Sequence, residues 1–231
     1  ARGRGSAARG PGLPAFITAG GGIRYIVVRS DDLVADVAAM RARGVDVEDP
    51  VDGSRQTPAG NVLRWRVATL GERNPLPLFF IEHLTPLAER RGAASAPSHP
   101  NGVVRLERTY IVTDRAEALA DDYARVLGLP RPKMERGTVI MADMAVFRIG
   151  PNGLGIAEPY TEGVAARALR RRGPGPFQAL YRTTSMDAAA KWMSDHGVPP
   201  PARGVRNTGE VAMLVPPPDA CGAYIGFVGM P

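Results

Sequence analysis

With 231 residues, 44% of them hydrophobic and 23% charged, the chain is long enough for one large domain or two smaller ones with a sizeable core. Its net charge of +6 comes mainly from scattered arginines, with Lys133 and Lys191 the only lysines, and no basic patch is interleaved with aromatics, which argues against a nucleic-acid partner. No apolar run approaches the about 18–20 residues needed to span a bilayer, no secretory signal opens the chain, and the single cysteine, Cys221, excludes an internal disulfide and fits a reducing, cytoplasmic compartment.

Taken in chain order, three segments share one plan. The first is an extended run, Ile23–Val28, followed by Ser30-Asp31-Asp32, an amphipathic stretch Leu33–Arg43, and Gly44. The second is Arg108–Val112, then Thr113-Asp114, Arg115–Leu127 and Gly128. The third is Phe177–Arg182, then Thr184-Ser185, Met186–His196 and Gly197. Each reads as a strand, a capping residue, a helix and a glycine C-cap. A Ser, Thr or Asp oxygen accepts from a free N–H of the first turn, and glycine takes the left-handed conformation that ends the helix. Asp114 and Glu117 have capping-box spacing. Arg170-Arg171-Arg172 ends a further short helix, where cations suit the dipole.

Strands follow each helix. The patterns predict them at Val45–Val47, Val62–Ala68 and Leu76–Glu82; at Thr138–Ala142, Met144–Ile149 and Leu154–Ala157; and at Ala202–Val205, Glu210–Val215 and Ala223–Val228. Asp52-Gly53, Ala59-Gly60-Asn61, Asp143, Pro151-Asn152-Gly153 and Asn207-Thr208-Gly209 read as turns. Each unit is therefore β-α-β-β-β. The expected class is α+β rather than a doubly wound nucleotide fold. The units span residues 22–84, 103–158 and 177–231, with linkers at 85–102 and 159–176.

A β-α-β-β-β unit whose opening strand leads into Asp, and which closes on a strand such as Gly222-Ala223-Tyr224-Ile225-Gly226-Phe227-Val228, resembles the vicinal-oxygen-chelate superfamily. Glyoxalase I, extradiol dioxygenases and bleomycin-resistance proteins belong to it. Asn61–Trp65, Leu76–Glu82 and Ser98–Gly102 are similar to its glyoxalase-like branch. The resemblance implies curved mixed sheets pairing around a cleft, in which a divalent metal chelates neighbouring oxygens of a small-molecule ligand. It also implies modules in even numbers. Three are visible, and residues 1–21, which begin with Ala1, are too short for a fourth. The expectation is that residues 1–21 are the tail of a missing or truncated N-terminal module. The alternative is a homodimer in which pairing between copies completes the cleft.

The resemblance places one metal ligand about seven residues before the capping residue and a Glu in the closing strand. Those places fall on Glu107, on Gln178, on Arg24 or Tyr25, and on Gly226. Glu107 is then a metal ligand or an arginine's partner. Glu82 and His83, adjacent at a strand end, are further metal candidates, whereas His99 reads as part of a turn and His196 as a helix-end residue. Arg64, Trp65 and Gln178 are candidates for substrate binding; the two arginines flanking Trp65 share one face of their strand. Cys221 is expected to be buried and structural. Three readings stand open: a metal-dependent isomerase, lyase or dioxygenase; a non-catalytic small-molecule binder of the resistance type with a degenerate metal site; and a structural role in which these modules only support the missing first one.

Overall fold

The computed structural model describes residues 12–91, 99–199 and 201–230. A short helix, α1 (Leu13–Thr18), precedes β1 (Ile26–Ser30), α2 (Leu33–Ala42), β2 (Val51–Gln56), β3 (Val62–Thr69) and β4 (Leu78–His83). A helical turn, α3 (Leu87–Arg91), follows. Next come β5 (Val103–Val112), α4 (Ala116–Leu127), β6 (Met134–Gly137), β7 (Ala142–Ile149) and β8 (Asn152–Pro159). Helix α5 (Val164–Arg172) leads into β9 (Gly175–Thr183), α6 (Met186–Asp195), β10 (Ala202–Val205), β11 (Val211–Val215) and β12 (Tyr224–Gly229). The architecture is the expected α+β repetition of βαβββ units.

The first unit forms a four-stranded sheet in the order β1-β4-β3-β2, while the other two share an eight-stranded sheet, β10-β11-β12-β9-β5-β8-β7-β6. In every unit the opening strand runs parallel to the closing one. At the centre of the large sheet β5 and β9 pair antiparallel. Among the described residues, the equivalent strand β1 has a neighbour on one side only.

The turns into the helices repeat a single device. Ser30, Thr113 and Thr183 each accept, through the side-chain hydroxyl, the backbone N–H two residues on, at 3.1, 3.3 and 3.4 Å. Asp32 and Ser185 then cap α2 and α6 by accepting from Ala35 and Ala188. Helix α4 differs. Its N-cap is Arg115, and Glu158 at the end of β8 accepts the Ala116 N–H at 2.8 Å. The expected Asp114–Glu117 box does not form; Glu117 pairs with Arg131 instead. Glu82 serves α2 as Glu158 serves α4, accepting the Leu33 N–H at 3.1 Å. Gly44, Gly128 and Gly197 follow the helices with φ of 74°, 66° and 79°, the left-handed region expected of them.

One core joins the first two units. Leu33, Val37 and Met40 of α2 and Ala120, Tyr123 and Val126 of α4 bury together with Phe147, Leu154 and Ile156. Arg43 donates to the carbonyls of Arg125 and Val126 at 2.8 and 3.2 Å, which satisfies free acceptors in the last turn of α4. Behind the third unit, Met186 and Met193 of α6 pack on Met213 and Phe227. The other face of the large sheet carries Tyr110, Phe177, Leu180 and Tyr224, partly roofed by Ala165 and Ala168 of α5.

Five expectations are corrected. Asp52-Gly53 lies inside β2, and Val47 contributes only a single bridge to Leu70. A Cβ on Gly53 would come within 2.5 Å of the Trp65 indole, so this glycine seats a cross-strand ring rather than making a turn. In the second unit the strand is Met134–Gly137, and the segment before Ala142 turns, with Met141 at φ 56°. Asp143 lies within β7 opposite Arg136, to which it is ion-paired. Finally, Cys221 is exposed.

Candidate functional site

The antiparallel β5–β9 pairing sets Arg108 opposite Leu180 and Tyr110 opposite Gln178. These four side chains, with Ile140 and Met144, line a cavity of about 150 Å³. The glycines of the closing strands make room for them. A Cβ on Gly155 would lie 2.5 Å from the Tyr110 ring, and one on Gly226 would lie 2.8 Å from both the Gln178 amide nitrogen and Leu180.

Arg108 extends over the Tyr110 ring, with 5.5 Å from guanidinium carbon to ring centroid, and its Nη1 donates to the Tyr110 hydroxyl at 3.1 Å. Its Nε is buried and has no hydrogen-bond partner. Gln178 is 3% exposed, and its Oε1 is likewise buried without a partner. The other arginines of the lining are neutralised. Arg136 binds both oxygens of Asp143, at 2.9 and 3.1 Å, and Arg206 binds Glu210 at 2.6 Å. Hydrogen bonding and charge from Arg136 hold the Asp143 carboxyl below its ordinary range.

Beside the cavity stands an ion-pair chain. Arg182 binds both oxygens of Glu107, at 2.9 and 3.2 Å, and one of Glu210 at 2.8 Å; Arg105 also reaches Glu107, at 2.7 Å. The hydrogen bond from Arg182 holds the Glu107 carboxyl below its ordinary range, against the effect of burial. Burial raises the Glu210 carboxyl, but hydrogen bonds from Arg182 and Thr208, with nearby positive charge, outweigh it and leave a net lowering. Glu107 sits where the β5–β9 register shifts, between Leu106 and Arg108.

Of the residues singled out in the sequence, Gln178 lines this cavity. Glu107 occupies the ion-pair chain, with its carboxylate shared by two arginines. Glu82, His83, Arg64 and Trp65 belong to the four-stranded sheet, so the structure does not gather the six into one site. Glu82 accepts from the N-terminus of α2 and meets Arg66 at 3.5 Å. His83 stands opposite Trp65; burial, then the charges of Arg90 and Arg29, push its pKa down. Arg64 is exposed, and its backbone N–H donates to the Thr85 hydroxyl.

Counting seven residues back from the N-caps Asp32, Arg115 and Ser185 gives Tyr25, Arg108 and Gln178. The cleft of the second and third units therefore presents a guanidinium and an amide on its opening strands and Gly155 and Gly226 on its closing strands. That set lacks imidazole and carboxylate donors, and a divalent ion would confront the Arg108 charge, so these residues do not fit the metal. Among the described residues, no group of three or more His, Cys, Asp or Glu side chains could hold an ion. No helix among them is long and apolar enough to cross a membrane.

Comparison with known proteins agrees with the fold. Methylmalonyl-CoA epimerase from Mycobacterium tuberculosis aligns with 60% of this chain and 94% of its own, at 22% identity and a TM-score of 0.52. A hypothetical protein from Staphylococcus aureus aligns with 88% of this chain and 65% of its own, at 9% identity and a TM-score of 0.57. At these identities the likeness is one of fold. No curated protein matches the chain. A family model described as "Glyoxalase-like domain" matches residues 3–127, more than half of the sequence. By that match, and by its βαβββ units, the chain belongs to the glyoxalase-like domain family of the vicinal-oxygen-chelate superfamily.

Proposed function

We propose that the second and third units form a small-molecule-binding cleft that holds its ligand by side chains, without a divalent metal at the family's ligand positions. The observation that carries this reading is the substituted ligand set: Arg108 and Gln178 on the opening strands, and Gly155 and Gly226 on the closing ones. The cavity suits such a role, because it is mostly apolar with a few convergent polar groups. Gln178 contacts the ligand in this reading. Glu107, fully engaged by arginines, holds Arg182 and the bulged segment of β5 in place. The likeness to methylmalonyl-CoA epimerase speaks for the fold and leaves the ligand open.

Metal analysis of the purified protein, paired with ligand-induced thermal shifts, tests this. The expected result is no stoichiometric Mn, Fe, Ni or Zn, and stabilisation by small molecules that is lost in Leu180→Trp, whose indole fills the cavity. Stoichiometric metal that disappears on Gln178→Ala overturns it.

A further inference from the structure

Resting on that cleft reading, we propose that the ligand is a small organic carboxylate with an apolar body of about one ring and one O–H or N–H donor close to the carboxylate, seated on Arg108 and Gln178.

The described residues hold three buried side-chain polar atoms without a hydrogen-bond partner: Tyr123 Oη, Arg108 Nε and Gln178 Oε1. Two of the three belong to residues that line one cavity, Arg108 and Gln178. Buried polar atoms are nearly always paired because leaving one unpaired is costly, so two at one cavity mark a place built for a polar ligand. Their demands are opposite. Arg108 Nε needs an acceptor, and Gln178 Oε1 needs a donor.

Charge narrows the acceptor to an anion. Arg136 and Arg206 have their own carboxylates in Asp143 and Glu210, whereas Arg108 bonds a neutral phenol and makes no ion pair among the described residues. The neighbouring Glu107 is taken by Arg182 and Arg105. Glu135, the one acid in the lining, is exposed. A guanidinium binds a carboxylate with both planar and charge complementarity.

Spacing places the donor next to the anion. Arg108 pairs with Leu180 and Tyr110 with Gln178, so Arg108 and Gln178 are diagonal neighbours on one face of adjoining strands, within reach of a single small molecule. Ile140, Met144, Leu180 and Ala212 supply the apolar wall. A volume of about 150 Å³ matches a cavity that takes a benzene-sized group.

Isothermal titration of the full chain with three probes tests the proposal: mandelate (ring, carboxylate and hydroxyl), phenylacetate (no hydroxyl) and benzyl alcohol (no carboxylate). Mandelate is expected to bind tightest, phenylacetate more weakly and benzyl alcohol weakest. Arg108→Met should weaken mandelate about tenfold to a hundredfold, the range for a charge-assisted hydrogen bond. Gln178→Leu should bring mandelate down to phenylacetate while leaving phenylacetate in place. The ranking on the unaltered protein needs no variant, so a misfolded mutant does not decide the outcome. Benzyl alcohol binding as well as the acids, and lost in Leu180→Trp, overturns the carboxylate and keeps the cleft. Equal binding of the two acids overturns the donor requirement. Failure of all three probes overturns the proposal, while the cleft reading then stands or falls by its own metal and thermal-shift test.

Discussion

Tyr110 and Gln178 face each other across the antiparallel β5–β9 pair, and each occupies space beside a glycine of its own closing strand: the phenol ring at Gly155, the amide at Gly226. The two units thus give up a closing-strand side chain in related ways and fill the gap from the opening strand. Gly155→Ala would force a methyl group to within 2.5 Å of the Tyr110 ring. It should destabilise the protein by about 1–3 kcal/mol, the usual cost of overpacking. Gly204→Ala is the control, because its Cβ would meet Val139 at an ordinary 3.5 Å. Urea unfolding of the two variants should separate them clearly; equal midpoints would contradict the packing argument.

Glu158→Ala removes the acceptor for the first N–H of α4, and no side chain of Arg115 replaces it. A cap of this kind is worth about 0.5–2 kcal/mol, and a carboxylate also suits the positive end of the helix. Glu82→Ala should behave alike at α2, although Asp32 still caps that helix through Ala35. Glu158→Ala should therefore be the costlier substitution in denaturant titrations. The reverse order would show that the Glu82–Arg66 ion pair at 3.5 Å outweighs the cap.

The architecture was legible in the sequence because its signals are local. Helix periodicity and the glycines at 44, 128 and 197 mark each unit, and all three glycines take positive φ. Strand boundaries were less legible where a residue serves a distant partner. Gly53 answers to Trp65 across the sheet, and Asp143 answers to Arg136. The site turned on a single residue. Counting from Asp114 points to Glu107; counting from the actual N-cap, Arg115, points to Arg108. The hydroxyl of Thr113, within the expected capping segment, and the carboxylate of Glu158, just beyond the expected Leu154–Ala157 strand, start the helix one residue later than Asp114 would. A slip of one residue in a strand exchanges its faces. The repeated Ser30, Thr113 and Thr183 positions carried the signal that would have aligned the three units.

Arg43→Ala should loosen the joint between the first two units. Its guanidinium bonds two carbonyls at the end of α4 and lies so close to Gly128 that a Cβ there would come within 2.9 Å. The expected loss is about 1–3 kcal/mol, that of two hydrogen bonds from a charged donor, reduced by partial exposure. Hydrogen exchange should quicken in the last turn of α4, where the Leu129 N–H is held by Ala124, and remain unchanged in α6. Uniform quickening would indicate global destabilisation and contradict a local clasp.

The Glu107–Arg182–Glu210 chain predicts an acid-sensitive term in stability. Both carboxyls are held below their ordinary value of 4.5, Glu107 by its hydrogen bond from Arg182 and Glu210 by hydrogen bonds and charge that overcome its burial. A depressed folded-state pKa means that the unfolded chain takes up the proton first as pH falls. The stabilisation is therefore present in full above the ordinary value and declines as pH falls through 4.5 toward the folded-state value. Arg182→Met removes the common partner and should flatten that part of the curve. Unfolding free energies measured from pH 7 to pH 3 should show the unaltered protein losing its advantage over Arg182→Met below about pH 4.5, with a constant gap above it. A gap that persists unchanged to pH 3 would place the contribution of Arg182 in its packing against β5 and β12 rather than in its charge.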